Sequence, residues 1–328
     1  ADIGGTLPRW AAGAGFAGSM IGSPADMTFA EAWLKGVRGY DIDAAYAYMV
    51  RGATPGAGPS KRRQTAAFVE HGYVPDDVAS KSVALTLEYA WADTSIGLLA
   101  EALGQVEDAN RFLARGKAYA NVFNPATQFF QPRTTDGAWR EIEPLQLTYT
   151  DFERDLTRAY VEGSAMQCRW GVPYDPEGLV SKFESAAFFA SELDAYFEGA
   201  TETVGEWNPG GNYWHGNEPY FHAPYLFNAA GRPDLTQRWV HWCLTTRYAD
   251  NHIGLDGNDD GGTISAWYVF SALGFYPVAG TARYEIGTPL FDRATLDMGG
   301  GKTLEVVAEN HTPGNYHVER VEINGQPL

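Results

Sequence analysis

Cysteine is nearly absent from this sequence: Cys168 and Cys243 are its only two in 328 residues. They form no CxxC, so a disulfide framework and a thiolate zinc site are excluded by number. Buried free thiols are the expectation, with one bridge between them left open. Cations are scarce too, with Lys and Arg totalling 24 against 41 Asp and Glu, for a formal charge of −17. A nucleic-acid partner needs a basic face to neutralise phosphates and is therefore not expected. The one basic cluster, Lys61-Arg62-Arg63, stands in a Pro/Gly-rich stretch and reads as a solvated loop. No run of eighteen apolar residues occurs, so no membrane-spanning helix is expected. The first residues, Ala1-Asp2-Ile3-Gly4-Gly5, carry neither a basic start nor an apolar signal segment. No fixed-period repeat is found, which disfavours a solenoid.

What the chain has in quantity is aromatic side chains: ten Trp, eighteen Tyr and seventeen Phe. Aromatic faces stack on the apolar C–H faces of sugar rings, which leans toward carbohydrate chemistry. The plainer reading is that they fill a core. The length suits one large domain or two smaller ones, with a core that needs no staples.

The first 25 residues are rich in Gly and Pro and read as irregular. Ser23-Pro24-Ala25-Asp26 fits a capping box, and Phe29, Ala32, Trp33, Gly36 and Val37 follow at helical spacing. Residues 42–50 continue as a second helix and 52–75 read as a polar loop. Residues 78–103 and 106–122 read as long helices parted by Gly104, and 124–150 as a turn-rich excursion. Helices resume at 151–170, 177–198, 219–230, 233–249 and 262–273. Such an array is mainly α and packs as a bundle or as a toroid of helical hairpins, with active residues on long loops at one end. After Pro277 the pattern changes to short antiparallel strands over 284–287, 294–298, 303–308 and 318–323. The division expected is a helical catalytic region over 1–276 and a strand segment over 277–328. Ile323-Asn324-Gly325-Gln326 carries a hairpin turn signal. The chain is expected to stop before the return strand, as a fragment would.

Three constellations could carry chemistry. Asp256-Gly257-Asn258-Asp259-Asp260-Gly261-Gly262 is the densest acidic run. Asp256, Asn258, Asp260 and Gly261 match positions one, three, five and six of an EF-hand loop. Position twelve is Trp267, where a bidentate Glu is required, so this is no EF-hand. Acids placed just before a helix face the positive end of its dipole, and flanking glycines admit close approach of a ligand. That suits a base or a cation ligand; a solvated helix cap is the alternative. His215-Gly216-Asn217-Glu218-Pro219 offers two hard oxygen donors, Asn217 and Glu218, of the kind calcium accepts. His215 and His222 lack the zinc-protease spacing. Glu162-Gly163-Ser164-Ala165-Met166-Gln167 is weak evidence by itself. Inverting glycoside hydrolysis needs two carboxyl groups about 6.5–9.5 Å apart, one protonated and one ionised. These residue types permit that division of labour.

The long block from Asn258 through Gly262 and Trp267 to Pro277 resembles a signature of glycoside hydrolase family 92. The motifs at His215, at Glu162-Gly163, at Gly5-Thr6-Leu7-Pro8-Arg9-Trp10 and at Ile286-Gly287-Thr288-Pro289-Leu290-Phe291 are similar to it as well. The resemblance implies a secreted or cell-surface, calcium-dependent exo-α-mannosidase that inverts the anomeric centre of mannose-containing glycans. It implies part of an (α/α)6 toroid followed by antiparallel strands, with an N-terminal β-sandwich as the associated domain. Carried over by position, Glu162 is the general acid and Asp260 the general base, with Asp259 and Asn258 supporting the water. Asn217 and Glu218 hold Ca2+, which grips mannose hydroxyls and helps distort the ring, and His215 lines the same pocket. Gln167 falls on the leaving-group side. Members of that family usually carry Trp and Tyr on either side of it, where this chain has Met166 and Cys168. If the acid position is the one Gln167 occupies, a mannose-1-phosphodiester becomes the favoured substrate. A non-catalytic glycan-binding fragment is the rival from another class.

Overall fold

The computed structural model describes residues 5–12, 15–16, 20–58, 62–147 and 159–328. Contacts group the chain into two units: residues 1–182 with 278–282, and residues 183–277 with 283–328. A division by secondary structure alone, at 276/277, would instead part 283–328 from the helices with which they pack.

The first unit holds a hairpin of β1 (Ala11–Ala12) and β2 (Gly15–Phe16), then α1 (Pro24–Leu34), α2 (Ile42–Gly52), α3 (Thr65–His71), α4 (Ser82–Ala102) and α5 (Val106–Arg115). A second hairpin, β3 (Phe123–Asn124) with β4 (Phe129–Phe130), precedes α6 (Ala165–Cys168) and α7 (Pro176–Val180). Helix α4 is apolar nearly all round and is accordingly buried on most of its faces. Gly97 lets α5 approach it closely, since a Cβ there would stand 2.8 Å from Leu113 Cγ. Ala30, Met49, Ala53, Ile96, Leu99 and Phe112 form the core where α1, α2, α4 and α5 meet.

Several expectations change here. Ser23 does precede α1, but its hydroxyl makes no cap bond and instead accepts from Arg62 Nε at 3.1 Å. Arg62 is 6% exposed, so the solvated-loop reading of the basic cluster fails for it. Its guanidinium reaches Asp26 Oδ2 at 2.8 Å and Asp93 Oδ1 at 2.6 Å, and Asp93 Oδ2 receives Arg115 Nε at 2.6 Å. Lys61 lies outside the described residues. The loop expected over 52–75 contains α3. The helix expected over 106–122 ends at Arg115, and a 3-10 turn, Ala118–Val122, follows. Of the helix expected over 151–170, residues 151–158 lie outside the described set, and only α6 is helical in the remainder.

The second unit begins with α8 (Ala186–Glu202), capped by Ser185, whose hydroxyl accepts from Phe188 N at 3.0 Å. α9 (Pro233–Thr246) and α10 (Thr263–Ala272) follow. The helix expected over 219–230 is instead two 3-10 turns, Glu218–Tyr220 and Ala223–Asn228, where Pro219 and Pro224 withhold N–H donors. Aromatic rings fill this core: Phe197 stacks on Trp239 at 5.2 Å and meets Tyr213 at 4.4 Å between centroids. Strand pairs close the chain: β5 (Phe275–Pro277) with β6 (Tyr284–Ile286), β7 (Arg293–Asp297) with β8 (Thr303–Val307), and β9 (Glu322–Ile323) with β10 (Gln326–Pro327). All are antiparallel. The last pair corrects the expected missing return strand: Asn324 and Gly325, with φ of 52° and 75°, make the tight turn that joins them.

Candidate active site

In the second unit the acidic loop 256–262 and the segment 215–218 touch through their backbones. A Cβ on Gly257 would stand 2.1 Å from the carbonyl oxygen of Gly216, so this approach requires glycine. Gly216 is held from its other side by the Trp214 indole, 2.1 Å from where its own Cβ would be. Asn217 and Glu218 follow directly, Asn217 half-buried and Glu218 exposed at the start of a 3-10 turn.

Within the acidic loop the two aspartates differ in what their carboxylates do. Asp259 Oδ1 accepts from the backbone N and the hydroxyl of Ser265, each at 3.0 Å, and its carbonyl accepts from Thr263 N at 2.7 Å. Asp259 therefore satisfies the free N–H groups at the start of α10. Asp260 takes the left-handed backbone, φ 46°, and its carbonyl accepts the Thr263 hydroxyl at 2.8 Å. Its side chain is exposed and makes no hydrogen bond among the described residues. Asn258 is exposed as well.

His215 is fully buried, with Nδ1 2.6 Å from the Tyr213 hydroxyl and Nε2 2.7 Å from the Tyr248 hydroxyl. Tyr248 donates its own proton to Ile264 O at 3.0 Å, so it accepts from His215 Nε2–H, and Tyr213 donates to Nδ1. Burial, with Arg247 nearby, lowers the His215 pKa from 6.5 to about 3. The imidazole is a neutral core group packed edge-on against Trp267 at 4.3 Å. Both ring nitrogens are engaged inside the protein, with Tyr213 and Tyr248.

Glu162 and Gln167 stand in the first unit. Glu162 also has the left-handed backbone, φ 52°, and is half-buried. The strand of chain leading to it is pinned to α4 by Ala84 N donating to Ala159 O at 3.0 Å. Lys81, at the start of α4, interacts electrostatically with Glu162, Arg63 and Arg9, and its pKa is lowered chiefly by burial. Gln167 is 1% exposed and completes a capping box on α6, its Oε1 accepting from Ser164 N at 3.1 Å and its own N donating to Ser164 Oγ at 3.2 Å. Gln167 therefore has a structural task in addition to the one expected of it. Both cysteines are free thiols, Cys243 buried and Cys168 half-buried.

Sequence reasoning missed Arg247, Tyr213, Tyr248 and the anchoring of Asp256. Arg247 is 2% exposed and its Nε lies 2.8 Å from Asp256 Oδ2. Burial pushes the Asp256 carboxyl up and Arg247 opposes that shift. A hollow of about 660 Å³ adjoins the acidic loop, lined by Tyr248, Gly257, Ser265, Tyr268 and the turn between them; neither Asp260 nor Glu218 lines it. No group of three or more His, Cys, Asp or Glu placed to hold a metal occurs among the described residues.

The profile of the glycosyl hydrolase family 92 catalytic domain matches residues 1–328, and the chain belongs to that family. It is similar to a family GH92 α-mannosidase of Bacteroides thetaiotaomicron solved with mannoimidazole, at 34% identity and a TM-score of 0.88 over 98% of this chain and 43% of that one. It is also similar to a family GH92 inverting mannosidase of Bacteroides thetaiotaomicron VPI-5482, at 30% identity and a TM-score of 0.86 over 99% of this chain and 45% of that one. A protein of Arthroderma benhamiae described as an uncharacterized secreted glycosidase is 25% identical, over 93% of this chain and 42% of the relative. The chain thus spans less than half the length of these relatives.

Proposed function

We propose that this chain supplies the catalytic carboxylates of a secreted exo-α-mannosidase that removes terminal α-linked mannose from mannose-rich glycans with inversion. Its helices form part of an (α/α)6 toroid. The supporting observation is the Gly216–Gly257 contact, which brings the Asp260 loop against the segment bearing Asn217 and Glu218. Asp260 is the base: its carboxylate faces solvent while its neighbour Asp259 is tied to α10. Asp260 takes the proton of the water attacking the anomeric carbon, Asp259 and Asn258 hold the loop and the water, and Glu162 gives a proton to the leaving oxygen. His215 acts through the backbone rather than by touching the sugar.

The donor chemistry suits calcium: Asn217 and Glu218 are hard oxygen ligands, and with no cluster of three acidic, His or Cys ligands among the described residues the ion would complete its shell with carbonyl, water or sugar oxygens. Bound there, calcium would supply charge against vicinal hydroxyls and favour a distorted ring.

A second reading has an observation behind it. Lys81 interacts with Glu162 and with two further cations, Arg9 and Arg63, which suits an anionic leaving group such as the phosphodiester of a mannose-1-phospho-mannose cap. Hydrolysis of α-mannosyl fluoride, an α-mannoside and a mannose-1-phosphodiester separates these. Asp260→Asn should lose about 10²–10⁴-fold on all three, and Glu162→Gln that much on the mannoside alone, because fluoride and phosphodiester leave unprotonated. Full activity of Asp260→Asn removes the mechanism; unchanged mannoside turnover in Glu162→Gln removes its acid.

A further inference from the structure

Two consecutive residues at the end of α9 each hold one of the two segments that meet at Gly216 and Gly257. Arg247 is the C-cap of the helix, its N donating to Cys243 O at 2.9 Å. Its guanidinium is buried and lies against Asp256, the first residue of the acidic loop, with Nε 2.8 Å from Oδ2; the two make an ion pair by distance and not a hydrogen bond, and none of the three guanidinium nitrogens has a hydrogen-bond acceptor among the described residues. Tyr248 next to it accepts from His215, the first residue of the other segment, and donates to Ile264 in the first turn of α10. Between them the chain turns back on itself. Tyr248 pairs with Leu255 across an antiparallel bridge, Ala249 N donates to Gly254 O at 3.0 Å, and a Cβ at Gly254 would sit 1.8 Å from Ala249 O. This closed turn returns Asp256 to Arg247.

We infer that Arg247 and Tyr248 are positioning residues that set the register of the general-base loop against the calcium-holding segment, Arg247 through Asp256 and Tyr248 through His215. The inference rests on the mannosidase reading for its catalytic consequence, and on geometry alone for the clamp. The end of α9 carries both anchors, so a shift of one loop relative to the other requires breaking the largely buried Arg247–Asp256 ion pair or the His215–Tyr248 imidazole–hydroxyl bond.

The enzyme carrying this chain is tested as Arg247→Met, Asp256→Asn, their double variant and Tyr248→Phe. Amide hydrogen exchange is read over 256–262 and 213–218, calcium binding by calorimetry, and turnover on α-mannosyl fluoride. Arg247→Met and Asp256→Asn should each lower kcat about tenfold with KM changed less than about twofold, and the double variant should fall no further. Exchange should quicken over 256–262 and stay unchanged over 213–218. Tyr248→Phe should quicken exchange over 213–218 and weaken calcium binding about tenfold. Additive losses in the double variant, or exchange that rises evenly through the second unit, overturn the clamp. If Arg247→Met does not fold, Asp256→Asn and Tyr248→Phe decide it. A wild type inert toward every mannoside overturns the mannosidase reading, while exchange and calorimetry still decide the clamp.

Discussion

His215 keeps both ring nitrogens bonded inside the protein, and its neutrality there has a cost in acid. The unfolded chain takes up a proton near 6.5 that the native state refuses until about 3. Protons therefore favour the unfolded chain across that interval, and the contribution of His215 to stability, fully present above 6.5, is lost as pH falls. Denaturant unfolding of the wild type should weaken more steeply than that of His215→Gln between pH 6.5 and 3, by up to about 1.4 kcal/mol per pH unit. Parallel pH dependences in the two proteins would refute the neutral assignment. The sequence offers candidate residues for the site, but not what each side chain is bonded to in the fold. Asp259 and Asp260 look alike in sequence; the left-handed turn at Asp260 is what gives the cap to one and leaves the other exposed. Ser164 and Gln167 fit the capping-box spacing and form it, whereas Ser23 and Asp26 fit as well and turn instead to Arg62, a residue 36 positions from Asp26.

α5 was readable from its apolar spacing, and α4 and α10 from long apolar runs rather than from periodicity, because burial of apolar side chains is what holds them. Short pieces were not. α3 starts from Gln64 in a left-handed conformation with no side-chain cap, so nothing in its spelling announces it. The contact between the two site loops was also hidden, since it is made by backbone and leaves as its trace only a glycine at 216 and another at 257. Gly257→Ala places a methyl 2.1 Å from Gly216 O and must drive the loops apart. A loss of about 10²-fold in kcat/KM on α-mannosyl fluoride is expected from a displacement of that kind. Gly261→Ala meets nothing within 4 Å but forces a left-handed alanine at φ +71°, costing about 1 kcal/mol of stability with little change in turnover. Equal losses from the two substitutions would mean that the close approach does not matter.

Across the whole chain, the acidic surplus and the scarcity of cations concealed where individual cations are used. Arg62 is buried between Asp26 and Asp93 while Arg63, beside it, is exposed. Composition cannot separate neighbours of the same type when the distinguishing feature is two carboxylates distant in sequence. Arg62→Met leaves both carboxylates buried without their shared partner and should destabilise by about 3–5 kcal/mol in denaturant unfolding. The same surplus of oxygen donors bears on calcium. An ion that binds the native chain and not the unfolded one stabilises by mass action, about 2.7 kcal/mol when its concentration is a hundred times its Kd. Chelation should therefore lower the unfolding midpoint together with mannosidase turnover. Glu218→Gln, which removes the one full charge of the Asn217–Glu218 pair, should reduce both responses to calcium while leaving the midpoint in chelator close to that of the wild type. Exposed as Glu218 is, its substitution has little packing to disturb. A midpoint that ignores calcium in the wild type, or that still responds fully in Glu218→Gln, would place the ion elsewhere than at Asn217 and Glu218.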